Sequence, residues 1–217
     1  MKKSLLVITL LMTMTGVCPV QAQTAQPFDE RLAVFETVLE DMRRELKIPG
    51  MSAALIKDRE LVWARGFGYA DLENKVEATE DTAYFLASVT KTFASTILMQ
   101  LVEQGKLDLD DPVSKYGVRI KSPGTIRVRH LFSHTSEGLP GSFYIYDGNR
   151  FFHLGRVIKG ASGRSFENLL MEDIVRPLSM NDTVPEYRRM EAEFSHIVAK
   201  MAKPYDLDSS GEIVKSR

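Results

Sequence analysis

Ser88 and Lys91 stand three residues apart, a spacing that puts both side chains on one face of a helix. A serine hydroxyl becomes a nucleophile only beside a base. Lysine can be that base where its pKa falls well below the ordinary value of about 10.4. A helix N-terminus adds partial positive charge, and its free backbone N–H groups can stabilise an oxyanion. The pair therefore holds the parts for acyl transfer, although serine at a helix start is also an ordinary cap. Other spacings are poorer. His130 and His134 are four apart, as in helical zinc sites. Leu131 stands where such a site has glutamate, and no third ligand is evident, so helix packing or turn hydrogen bonding is expected. Gly66-Phe67-Gly68 lacks the third glycine and following helix of a nucleotide fingerprint and is expected to end a strand. Asp108, Asp110 and Asp111 miss the calcium-loop spacing and read as a solvated turn before Pro112.

Elements that would position Ser88 can be read from apolar spacing. Phe28, Leu32, Phe35, Leu39, Met42 and Leu46 form the stripe of an amphipathic helix that Pro49-Gly50 ends. Met51 to Ile56 and Glu60 to Arg65 read as strands, with Asp58-Arg59 as the hairpin turn, lacking the glycine such turns prefer. A loop from Gly66 to Phe85 leads to a helix from about Ser88 to Glu103, stopped by Gly105. Lys106 to Val128 reads as loops and turns. Helices are expected again near His130 to Ser133, Asn149 to Ala161 and Phe166 to Val175, before a polar, weakly patterned stretch from Met190 to Arg217. Two strands alone make a poor sheet.

The segment Phe85-Leu86-Ala87-Ser88-Val89-Thr90-Lys91-Thr92-Phe93 and the run Leu101 to Val113 resemble the active-site helix and following loop of the serine β-lactamase and penicillin-binding-protein hydrolases, the class C β-lactamase-related group. Ile126 to Ser136, Leu154 to Ile158 and Ile174 to Thr183 are similar to later blocks of that family, in order. The family's second catalytic element is Tyr-x-Asn, nine residues before the glycine of Leu-Gly. Counting back from Gly155 reaches Tyr146, so the resemblance implies that Tyr146 relays protons. The triplet here is Tyr146-Asp147-Gly148, with glycine in place of the amide that helps hold a substrate's acyl side chain; Asn149 is adjacent. Glu137 and Ser179 also depart from the pattern, both expected as loop changes away from the chemistry.

What the resemblance implies is an α+β, transpeptidase-like fold: an antiparallel sheet flanked by helices, with a helical subdomain. It implies Ser88, Lys91 and Tyr146 as catalytic residues, no metal or organic cofactor, and a small-molecule substrate: a β-lactam, a D-alanyl peptide or an ester. Gly148 favours a small ester or amide. The third family element, a Lys-Thr-Gly or His-x-Gly strand, has no counterpart in these residues. The domain over 23–217 is therefore expected to be incomplete, its C-terminal strands missing. A catalytically inactive remnant and a penicillin-binding sensor stay open as alternatives to a hydrolase.

A formal net charge of -1 provides no basic field for nucleic acid. Lys2 and Lys3, the apolar run Leu5 to Met14, and Val20-Gln21-Ala22 read as a secretory signal peptide over 1–22, cleaved after Ala22. The run falls short of the roughly 20 apolar residues that span a bilayer. Val17 before Cys18 speaks against a lipid anchor. Cleavage would remove the only cysteine and send the protein to the periplasm or outside the cell.

Overall fold

The predicted first helix forms as α1 (Phe28–Glu45) in a computed structural model that describes residues 28–186 and 192–216. The signal-peptide segment lies outside those residues. Asp29 and Glu30 in the first turn of α1, and Arg43 and Arg44 in the last, complement the helix dipole. Contacts divide the chain into Met1–Met42 and Arg43–Arg217; the elements that follow belong to the second unit.

Strands β1 (Gly50–Lys57) and β2 (Glu60–Asp71) form an antiparallel hairpin with Lys57 opposite Glu60. Asp58 and Arg59 make its two-residue loop with φ of 54° and 70°. That is the twist a tight hairpin needs, reached here without glycine. β2 runs beyond the predicted end at Arg65, so Gly66 and Gly68 lie inside the strand instead of ending it. The reason is a close backbone crossing. A Cβ on Gly66 would lie 2.0 Å from the Ala78 carbonyl oxygen, and Gly68 has φ of +67°. The bend lets β2 leave β1 and pair with β3 (Val76–Glu77), giving the order β1-β2-β3.

The core is helical. It joins α2 (Thr90–Glu103), α3 (Val128–Phe132), α4 (Gly148–Phe152), α5 (Leu154–Ser162) and α6 (Phe166–Leu170), the last continued by a π turn over Met171–Val175. Leu98, Leu131, Val157 and Ile158 are fully buried. Each large side chain so buried contributes about 1.5–3 kcal/mol. The predicted helix over Asn149 to Ala161 is two helices meeting at His153. Lys106 to Val128 forms loops and turns, as expected, with a 3₁₀ turn over Val113–Tyr116, and Leu107, Val113, Val118 and Ile126 within it are buried. The Val113 N–H donates to Ile126 O (3.0 Å) and the Arg129 N–H to Leu109 O (2.9 Å), which sets α3 in place.

The C-terminal stretch differs from its weak sequence pattern. It holds α7 (Ser195–Val198) and a hairpin of β4 (Tyr205–Leu207) with β5 (Ile213–Lys215). Remote partners order it. The Leu72 N–H donates to the Tyr205 hydroxyl (2.8 Å), which donates to Glu73 (3.0 Å). The Lys203 N–H donates to Ala70 O (2.7 Å). Helices with a small antiparallel sheet make the fold α+β, as expected.

Candidate active site

Ser88 sits on a 3₁₀ turn, Ala87–Val89, that runs straight into α2. No side chain caps either element, so the Ser88 hydroxyl is not used as a helix cap. Ala87, immediately before it, has φ of +45°. That left-handed backbone costs a residue with a Cβ about 1–2 kcal/mol, offset by burial of Ile97, Leu98 and Leu101 further along α2. Lys91 follows one turn after Ser88, as its spacing predicts, and its Nζ donates to Ser88 Oγ at 3.0 Å.

Tyr146 comes from the stretch leading into α4. Its hydroxyl lies 2.7 Å from Ser88 Oγ in a hydrogen bond that either can donate. The Lys91 ammonium stands 5.1 Å from the Tyr146 ring centroid and 5.5 Å from that of Phe151. Hydrogen bonding to Lys91, then to Ser88, with the charge of Lys91 adding, holds the Tyr146 phenol below its ordinary value; desolvation opposes this. Ser88 and Tyr146 are both exposed, so an incoming carbonyl can reach them. The three side chains assigned from sequence thus meet at one point: Oγ with an ammonium on one side and a phenol on the other.

Support for Tyr146 comes from residues given no such role by sequence. His134 is buried with φ of 56°. Its carbonyl accepts from the Ile145 N–H (2.9 Å), and its Nδ1 accepts from the Asp147 N–H (3.2 Å). Its ring packs on Phe151 and Tyr146, with centroids 5.3 and 4.6 Å away. His130 Nδ1 accepts from the Arg127 N–H (3.1 Å). Both histidines therefore do the turn hydrogen bonding expected of them. Among the described residues no group of three or more His, Cys, Asp or Glu is placed to hold a metal ion.

Asp147 caps α4, Oδ1 accepting from the Asn149 and Arg150 N–H groups (2.7 and 3.1 Å). Those N–H groups hold its carboxyl below the usual carboxylate range, with the Arg150 N–H contributing most. Gly148 opens α4 with no side chain to offer, and Asn149 is exposed. Glu137 does more than fill a loop: it pairs with Arg150 of α4. Its two carboxylate oxygens take Arg150 Nε (2.7 Å) and Nη2 (3.2 Å), tying the loop after His134 to the helix after Tyr146. Ser179 has φ of 53°, which explains why glycine is usual there. Sequence carried no signal for the Glu137–Arg150 pair, because the partners lie thirteen residues apart across a loop.

Comparisons with known proteins identify the family of this chain. The family model described as Beta-lactamase matches residues 35–193. Protein flp of Staphylococcus aureus (strain COL) is 30% identical over 170 residues, covering 71% of this chain and 34% of that protein. The octameric penicillin-binding protein homologue of Pyrococcus abyssi superposes with a TM-score of 0.75 at 28% identity, over 85% of this chain and 50% of that one. The D-alanine carboxypeptidase AmpC of Burkholderia cenocepacia shares the fold, with a TM-score of 0.68 at 23% identity over 87% of this chain and 57% of that one. This chain spans about a third of the length of the staphylococcal relative and half that of the archaeal one. The matched span contains Ser88, Lys91 and Tyr146 and the helices that carry them, and by that match the chain belongs to the β-lactamase family.

Proposed function

We propose that this protein is a serine acyl-transfer hydrolase that acts on a small ester, amide or β-lactam through an acyl-enzyme on Ser88. The observation that carries the reading is the placement of one hydroxyl between Lys91 Nζ at 3.0 Å and the Tyr146 hydroxyl at 2.7 Å. Tyr146, its phenol held low beside Lys91, takes the Ser88 proton as Oγ bonds to the substrate carbonyl carbon. The proton then passes to the leaving group as its bond to that carbon breaks, leaving an ester on Ser88. Water attacks the ester, Tyr146 takes its proton, and the acid departs as Oγ is reprotonated. Lys91 Nζ donates to Oγ at 3.0 Å beside the phenol, and the start of α2 adds the partial positive charge of its backbone dipoles. Gly148, at the family's amide position, favours a small ester or amide over a β-lactam.

Covalent labelling tests the proposal. A fluorophosphonate or fluorescent penicillin is expected to attach to Ser88, and Ser88→Ala to abolish the label. A hydrolase labels and recovers, a penicillin-binding sensor stays labelled, and a remnant takes no label. Peptide mapping to another serine would overturn the assignment.

The site would act in the periplasm or outside the cell, as the N-terminal Lys2-Lys3, apolar run and Val20-Gln21-Ala22 suggest. Mass spectrometry of the extracytoplasmic protein should find an N-terminus at Gln23. An intact Met1 terminus there would refute it.

A further inference from the structure

We infer that His134 is the positioning residue that holds the Tyr146 phenol against Ser88. The inference rests on the acyl-transfer reading of that site.

Tyr146 needs outside support. About half of its surface is exposed (52%), and its flanking residues Tyr144 and Ile145 are exposed as well. An exposed aromatic side chain on an irregular stretch has several rotamers open to it. The reacting geometry requires one, because a displacement of about 1 Å can cost about 10²-fold in rate. Four contacts to His134 remove that freedom. Its carbonyl accepts from the Ile145 N–H and its Nδ1 from the Asp147 N–H, so hydrogen bonds bracket Tyr146 on both sides. Its ring packs on the Tyr146 ring at 4.6 Å and against the Tyr144 edge at 5.9 Å, interplanar 74°. The opposite support is Phe151 of α4, stacked on His134 at 5.3 Å and 23°.

Chemistry explains why histidine suits the position. Phenylalanine would give the flat surface but no acceptor for the Asp147 N–H. Asparagine would give an acceptor but no ring. The imidazole gives both, with Nδ1 bare and the proton on Nε2 in its neutral form. Backbone geometry points the same way. His134 has φ of 56°, a left-handed conformation that costs about 1–3 kcal/mol and persists only where surroundings impose it. The same backbone turn sends its carbonyl to Ile145 while the ring lies under Tyr146. α3, packed through Val128 and Leu131, fixes the starting point of that turn.

The test compares wild type with His134→Asn and His134→Phe, and reads the site in two ways. Asparagine tolerates left-handed backbone, so His134→Asn is the variant expected to keep the fold, as checked by circular dichroism. The first readout is alkaline ultraviolet titration of Tyr146, isolated by subtracting the Tyr146→Phe spectrum. In wild type this phenol should ionise below the ordinary value of about 10, and in both variants its titration should move up toward it. The second readout is the rate of Ser88 labelling, expected to fall about tenfold or more in each variant. A folded His134→Asn or His134→Phe protein with the wild-type Tyr146 titration overturns the inference. If wild-type Ser88 takes no label, the acyl-transfer reading fails, and the titration still decides the role of His134.

Discussion

The Tyr146 hydroxyl lies 2.7 Å from Ser88 Oγ, although 58 residues separate the two in the chain. Only the oxygen is needed for that contact. Tyr146→Phe should therefore lower turnover or labelling by about 10²-fold, within the range for loss of a positioned proton carrier. Folding should be unaffected near neutral pH, since the ring and its packing on His134 survive. Labelling kinetics and thermal melts check both halves. Native activity in Tyr146→Phe would make the residue a plain packing aromatic.

The depressed Tyr146 phenol predicts a pH dependence. Deprotonation prepares it to accept the Ser88 proton, so labelling should speed up as pH rises, with a midpoint below the ordinary phenol value of about 10. Lys91→Met removes the largest cause of the depression and should move that midpoint upward. The linked stability has a definite sign. A phenol whose folded pKa is lowered stabilises the fold fully above the unfolded pKa, and loses that contribution as pH falls through the folded value. The stability difference between wild type and Tyr146→Phe should thus grow in the alkaline range. A Lys91→Met rate profile identical in midpoint to wild type would contradict the assignment.

Ala87 sits at φ of +45° directly before Ser88. Ala87→Gly relieves a steric cost of about 1–2 kcal/mol, while loosening the unfolded chain by about 0.5–1 kcal/mol. Its melting temperature should match or slightly exceed wild type. Ala87→Val places a β-branched residue in the same conformation, and should lose stability and slow labelling together. Melting temperatures of the two variants decide it, and a stable, fully active Ala87→Val protein would show that the backbone there is not constrained.

Glu137 and Arg150 form a two-pronged ion pair with side chains only 26% and 21% exposed. Arg150 Nη1 is buried without a partner among the described residues. Glu137→Gln keeps the shape but leaves the guanidinium without its counter-charge, at an expected cost of about 1–3 kcal/mol. A double-mutant cycle of Glu137→Ala and Arg150→Met in urea should give a coupling of about 1 kcal/mol, the upper end for partly exposed pairs. Strict additivity would mean that the pair does not clasp the loop to α4.

Much of this protein was determined locally. The stripe of α1, the β1–β2 hairpin and the apolar run of α2 were legible because a period of 3.6 or 2 shows within a few residues. Lys91 reaches Ser88 because one helical turn separates them. Tyr146 was reachable by a count back from Gly155, which carries no geometry of its own. Tertiary structure alone decided that its hydroxyl meets Ser88, that His134 lies beneath its ring, and that Glu137 clasps Arg150. It also decided that Gly66 passes under Ala78 and that Tyr205 to Lys215 forms a hairpin. Those features depend on partners distant in the chain, or on backbone angles that packing imposes against local preference. A left-handed Ala87 or His134 is unfavourable by itself, and only the buried side chains of α2 and α3 hold it there.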